Sequence, residues 1–425
     1  MSNENVERLK NKFTEMAKND KKRRFHSLRD KIYRMDVLEC AWKEVKKNKG
    51  VSGPDGQSIT EIEEQGAEKL LSELFEELRT GTYKPGPVLR VYIPKKNGGK
   101  RPLGIPNVRD RIVQAALKQI IEPIFEADFL PFSYGFRPGR SAKDANSEIH
   151  YWLKRGHRHV LDADIEKCFD EIPHDKLMNT IARRISDKYV LKLIKMWLKS
   201  PVLADGTLQK MKKGTPQGGV ISPLLANIYL HQVDTAWLDA GMTRKGGWNA
   251  QMVRYADDIV VLSNRPVTVP REKLQEILAV LGLKLSDKKT RSVKAEDGFD
   301  FLGFRFIRKY NRESRKYVCQ YFPSPKSVKR MKEKIREIAG NNRTYILPNQ
   351  IAKELNIAVT GWCNYFRWSW HNRAFTKVYS YVCSRFQRFL RRRKEKSGFG
   401  RYRDYPAHTL KSKYGLQTWF RSQVN

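Results

Sequence analysis

Tyr255-Ala256-Asp257-Asp258 joins two apolar runs, Gln251-Met252-Val253-Arg254 and Ile259-Val260-Val261-Leu262, whose composition reads as two strands of a hairpin. Two adjacent carboxylates at such a tip repel one another, and a tight turn needs only one Asp. A divalent cation held by hard oxygen ligands explains the pair. Taken alone, Asp-Asp is read equally well as an exposed turn. A third carboxylate shifts the balance: in His159-Val160-Leu161-Asp162-Ala163-Asp164 a strand runs into acidic residues, so Asp164 can stand at a strand end beside the turn. The reading places Asp162, Glu166 and Asp170 on a different face from Asp164 and leaves them out of the metal set. Two ions held by Asp164, Asp257 and Asp258 would activate an attacking hydroxyl and stabilise a leaving pyrophosphate.

These residues sit in an ordered set of further motifs. Upstream are Ile93-Pro94-Lys95-Lys96, Arg101-Pro102-Leu103-Gly104-Ile105-Pro106 and Ser133-Tyr134-Gly135-Phe136-Arg137-Pro138-Gly139-Arg140. Between the carboxylates lies Gly214-Thr215-Pro216-Gln217-Gly218-Gly219-Val220-Ile221-Ser222-Pro223-Leu224-Leu225-Ala226-Asn227; beyond them come Phe301-Leu302-Gly303-Phe304 and Gly361-Trp362-Cys363-Asn364-Tyr365-Phe366. In this order the set resembles the reverse transcriptases encoded by bacterial group II introns.

The resemblance implies an α+β, right-hand polymerase with fingers and an antiparallel palm sheet, followed by an α-helical thumb or maturase X domain. It implies copying of RNA into DNA with two Mg²⁺ ions, or Mn²⁺ in their place. RNA template, DNA primer, dNTPs and group II intron RNA would be its partners. Lys95 and Arg101 would meet the triphosphate, Gln217 the template–nucleotide pair, and Lys289 the pyrophosphate. Phe169 would stand beside the incoming sugar, where a ring clashes with the 2′-hydroxyl that distinguishes RNA from DNA. Taken without the resemblance, the segment around Lys95 and Arg101 reads equally as a solvated hairpin, Gln217 as part of a turn, Phe169 as core and Lys289 as a solvated cation.

Composition agrees with a polyanionic partner. The net charge of +37 favours nucleic acid, and residues 326–425 hold 23 Lys and Arg against five Asp and Glu. There Trp362, Tyr365, Phe366, Trp368 and Trp370 interleave with arginines, and Arg391-Arg392-Arg393 is expected to grip nucleic acid. Helix core is the competing reading for many of these aromatics.

The expected layout is a basic helical N-terminal extension at 1–35, fingers and palm at 36–322, the helical thumb or maturase domain at 323–400, and a basic aromatic tail at 401–425. Helices are expected at 35–47, 60–79, 107–122 and 141–154, and strands at 88–93, 101–105, 158–165, 251–256, 259–263 and 299–307. Five scattered cysteines without a Cys-x-x-Cys pair read as reduced thiols of a cytoplasmic protein, and the resemblance implies a bacterial one. No apolar run is long enough for a membrane partner. Only His371 and His408 follow Gly361-Trp362, without paired cysteines, so the HNH endonuclease of many family members is expected to be absent. Two other readings are a group II-like enzyme recruited to repair or phage defence, and a splicing factor that binds RNA without catalysis.

Overall fold

The computed structural model describes residues 2–94, 99–394 and 401–419. These form two compact units, one of residues 1–145, 161–261 and 266–291, the other of 146–160, 262–265 and 292–425.

The first unit is organised around the helix Val108–Glu126, which is buried on nearly every side, Asp110, Arg111, Gln114 and Gln119 included. A helix of that kind must be surrounded by others. Helices Ser2–Asn19 and Met35–Lys47 pack on it and share its core, the first through Val6, Phe13 and Ala17. The N-terminal segment read from sequence as an extension is thus part of the first unit's core. It is also strapped down by Arg184, whose guanidinium donates to the carbonyls of Ala17, Asp20 and Lys21. Ser58 and Glu61 form a reciprocal cap that starts the helix Ile59–Glu64, and Gly81 at φ 80° ends Ala67–Thr80.

Strands Val88–Pro94 and Lys100–Ile105 pair antiparallel, Ile93 opposite Arg101. Val202–Ala204 runs parallel to the first of them and pairs with Thr207–Gln209. In a second sheet, Gln251–Tyr255, Asp258–Ser263 and His159–Asp164 are neighbours in that order. The long helix Ser222–Asp239, with Pro223 in its first turn, belongs to the same unit.

In the second unit, Phe299–Phe301, Phe304–Asn311 and Lys316–Pro323 form an antiparallel sheet. The single strand expected over 299–307 is in fact broken. Leu302 and Gly303 both take positive φ, 47° and 84°, so Phe301 and Phe304 face each other across a tight turn. Helices Pro325–Ile338, Pro348–Phe366 and Asn372–Arg393 follow, each of the first two with proline in its opening turn. Phe366 closes this unit's aromatic core on Phe304, with ring centroids 4.6 Å apart. Among the described residues no helix is long and apolar enough to cross a membrane.

Candidate active site

The Asp257-Asp258 turn is held from behind. Ala256 takes φ 56°, a left-handed conformation unusual for alanine. The chain at Gly135 passes so close that a β-carbon there would lie 2.4 Å from the Ala256 nitrogen, so only glycine fits. Backbone bonds fix this approach: Tyr134 donates to the Arg254 carbonyl at 2.8 Å, and Arg254 to that of Phe132 at 2.9 Å. Arg137, nearly buried, pins the same segment by pairing with Glu126 and donating to the carbonyls of Leu130 and Ser133.

Beneath the turn lies a network that the sequence reading passed over. Arg254 and Asp234 are fully buried and pair through two bonds of 2.8 and 2.5 Å. Arg254 also donates to the Asn227 side chain and to the Ala256 carbonyl, each at 3.1 Å, while Asn227 donates to the Gly135 carbonyl at 2.7 Å. Asn227 and Asp234 are seven residues, or two turns, apart on the helix Ser222–Asp239, which puts both on one face. A buried charge without its partner is costly, so an Arg amid Met252 and Val253 in a strand that reads as core was the signal that could have revealed the network.

Asp164 ends its strand beside Asp258–Ser263. Its carboxylate accepts from Lys289 Nζ at 2.8 and 2.9 Å, and its carbonyl from Ser286 N at 2.8 Å, so the segment after Leu285 is laced to the strand end. The carboxylates sense one another. Desolvation, then Asp257, Asp164 and Asp162, push Asp258 up to about 7, with Lys289 opposing. Asp257 is raised chiefly by desolvation and by Asp164, while Lys289 and Arg101 pull it down. Asp162 was assigned a different face from Asp164. In a strand, residues two apart share a face, both are half-buried, and Asp162 acts on Asp258; that assignment is corrected.

Among the described residues no group of three or more His, Cys, Asp or Glu side chains is assembled to hold a metal ion. The Lys289 ammonium is bonded to both oxygens of Asp164. The donors are nonetheless the hard carboxylate oxygens that Mg²⁺ or Mn²⁺ takes.

Phe169 lies in the short helix Cys168–Glu171, half-buried, with its ring edge-on to Phe136 at 6.4 Å. Phe136 is itself half-exposed and held at φ 57°. The loop bearing Gln217 is docked at two places. Thr215 donates to the Phe169 carbonyl and Gly214 to that of Ile172, at 2.7 and 2.8 Å, while the Gln217 carbonyl accepts from Gly104 at 2.5 Å. Arg101 is exposed on its strand and within electrostatic reach of Asp257; Lys95 lies outside the described residues.

The three arginines expected to grip nucleic acid stand in different settings, Arg391 covered and Arg392 and Arg393 exposed. Arg391 is nearly buried and pairs with Asp404 at 3.1 Å, and Arg393 donates to the carbonyls of Thr344 and Ile346. Arg392 is exposed. Arg391 falls on the face of Asn372–Arg393 that also buries Gln387 and Leu390, so helix geometry turns it inward.

Comparison with known proteins agrees with this arrangement. The family model for reverse transcriptase (RNA-dependent DNA polymerase) matches residues 93–306, and that for the group II intron, maturase-specific domain matches 328–405. Protein YkfC of Escherichia coli is 36% identical over 76% of this chain and 93% of its own length. The group II intron-encoded protein LtrA of Lactococcus lactis is 40% identical over 48% of this chain but only 34% of its own. An uncharacterized 91 kDa protein in the cob intron of Schizosaccharomyces pombe is 28% identical over 83% of this chain and 52% of its own. The chain belongs to the group II intron-encoded reverse transcriptases, RNA-directed DNA polymerases with a maturase domain.

Proposed function

We propose that Asp164, Asp257 and Asp258 hold two Mg²⁺ ions, or Mn²⁺, and that the chain extends a DNA primer on an RNA template with dNTPs. The observation that carries this reading is the mutual effect of three carboxylates carried at the ends of neighbouring strands, with the Lys289 ammonium standing on Asp164 as a cation would. Members of this family depend on divalent metal ions. When bound, such ions would lower the pKa of the primer 3′-hydroxyl and stabilise the negative charge developing on the departing pyrophosphate.

The chain's own residues do the rest. Lys289 must leave Asp164 as the metal arrives, and is then free to meet the pyrophosphate. Arg101, with Lys95, binds the triphosphate; Phe169, backed by Phe136, borders the sugar and excludes a 2′-hydroxyl. Gln217, on a loop docked against the backbone of residues 104 and 169–172, meets the template–nucleotide pair. The maturase domain, proposed with the expected bounds 323–400, binds group II intron RNA.

The test is Asp257→Asn and Asp164→Asn. Each should lower primer extension by roughly a thousand-fold or more, since such ions contribute several kcal/mol to the transition state. RNA affinity should be retained. Extension by either variant at a rate near the parent's would remove the metal assignment.

A further inference from the structure

Residues 307–327 fall between the two family matches, and the most exposed part of the second unit's sheet lies there. Strand Phe304–Asn311 runs outward from the core, where Phe304 and Phe306 are buried, and Lys316–Pro323 returns to it past buried Cys319, so that their outer ends form a two-stranded ribbon. Directly opposed residues of an antiparallel pair share a face. Tyr310 faces Tyr317, and Arg308, two residues from Tyr310, lies on that face too.

This face is a fixed aromatic surface. Tyr310 and Tyr317 are each about half exposed, 53% and 52%, with centroids 5.3 Å apart and edge to face. Arg308 is held by Glu296 at 2.6 Å and stacks 3.9 Å over the Tyr317 ring. The connecting turn adds Arg312 and Arg315; residues 308–317 carry five cations and one acid. Among the described residues neither turn arginine forms an ion pair. Lys309 and Lys316 occupy the opposite face, because their register positions are one removed from the tyrosines.

We infer that this ribbon is a binding site for single-stranded RNA, with an unpaired base stacked on Tyr310 and Tyr317 and the adjoining phosphates on Arg312 and Arg315. The cross-strand pair adds only modestly to the stability of the ribbon and leaves about half of each ring open, and every base has a π-face to offer it. Arginines at the turn supply the salt-dependent part of such binding. The inference rests on the reading of the chain as an enzyme that handles RNA, and extends it to a surface away from the carboxylates in sequence.

Fluorescence anisotropy with a labelled oligouridylate and with a blunt RNA duplex, across a range of salt, tests it on the full chain. Tyr310→Ala with Arg312→Gln and Arg315→Gln should weaken oligouridylate binding roughly tenfold or more, and each arginine neutralised should flatten the salt slope by about 0.7. Duplex affinity and single-nucleotide addition at saturating primer–template should hold. Lys309→Gln with Lys316→Gln, on the other face, should change little. Equal losses from the two sets of substitutions, or equal losses on duplex and single strand, would overturn the site in favour of diffuse charge. Photocrosslinking of 4-thiouridine RNA to the unsubstituted chain gives a reading independent of any folding defect: crosslinks within 308–317 support the site, and their absence while crosslinks form elsewhere overturns it. If the unsubstituted chain neither binds nor copies RNA, the parent reading fails instead.

Discussion

Each unit contains a buried arginine–aspartate pair, and the two hold different things. Arg254–Asp234 is wholly enclosed and tied onward to Asn227, Gly135 and Ala256, so it supports the backbone that presents Asp257. Arg391–Asp404 is partly open and joins a long helix to a short C-terminal one. The same chemistry is a foundation for the site in one unit and a local clasp in the other. Count of positive charge alone does not tell a surface for nucleic acid from a structural cation.

Removing the larger pair is the strongest way to break that comparison. Arg254→Met leaves Asp234 buried without a partner and should cost about 3–5 kcal/mol in denaturant unfolding, with loss of primer extension. The double variant Arg254→Met, Asp234→Leu should regain much of the stability, since no charge is stranded. It should remain slow in single-turnover extension, because nothing then holds the Ala256 carbonyl. Recovery of both stability and rate would reduce the pair to packing.

The carboxylates above the Arg254–Asp234 pair carry a pH signature of their own. Asp258 moves from 3.8 to about 7 on folding, so the folded chain keeps a proton that the unfolded chain has lost. Its contribution to stability therefore falls as pH rises from about 4 to about 7 and levels off above. Mg²⁺ competes with that proton, so it should raise the melting temperature more at pH 8 than at pH 5. Asp258→Asn should narrow the difference. Equal stabilisation at both pH values would show that the ion binds elsewhere.

Phe169 sharpens the contrast on a smaller scale. Trimming it to Ala should raise NTP use relative to dNTP by roughly tenfold, about 1.4 kcal/mol, while extension with dNTPs continues. Single-nucleotide competition measures it directly. An unchanged ratio would assign the ring to packing against Phe136 alone.

Much of this was legible in the sequence because it is local. The helix Met35–Lys47 and the two strands around the Asp-Asp turn follow from short-range periodicity and turn chemistry. What escaped depends on distance or on conformation. Arg254 meets partners 20 and 27 residues away, and no pattern near it names them. Leu302 breaks a strand by taking a positive φ that its side chain does not advertise. The burial of Arg391 depends on which face of a 22-residue helix is covered, and in a run of three arginines the sequence treats every member alike.

That run supplies the smallest and most discriminating test. Arg391→Gln should lower the stability of the second unit by about 1–2 kcal/mol, because Asp404 loses its charged partner at a partly buried site. It should leave the salt slope of RNA binding nearly as it was, since a paired and covered guanidinium does not displace counterions from a phosphate. Arg392→Gln should do the reverse: no measurable change in unfolding, and, if the exposed side chain meets a phosphate, a slope lower by about 0.7–0.9. Unfolding and RNA titration on the two single variants then separate a structural clasp from a phosphate-binding side chain within adjacent residues. Identical behaviour of the pair in both measurements would mean that position on the helix does not decide what an arginine there does.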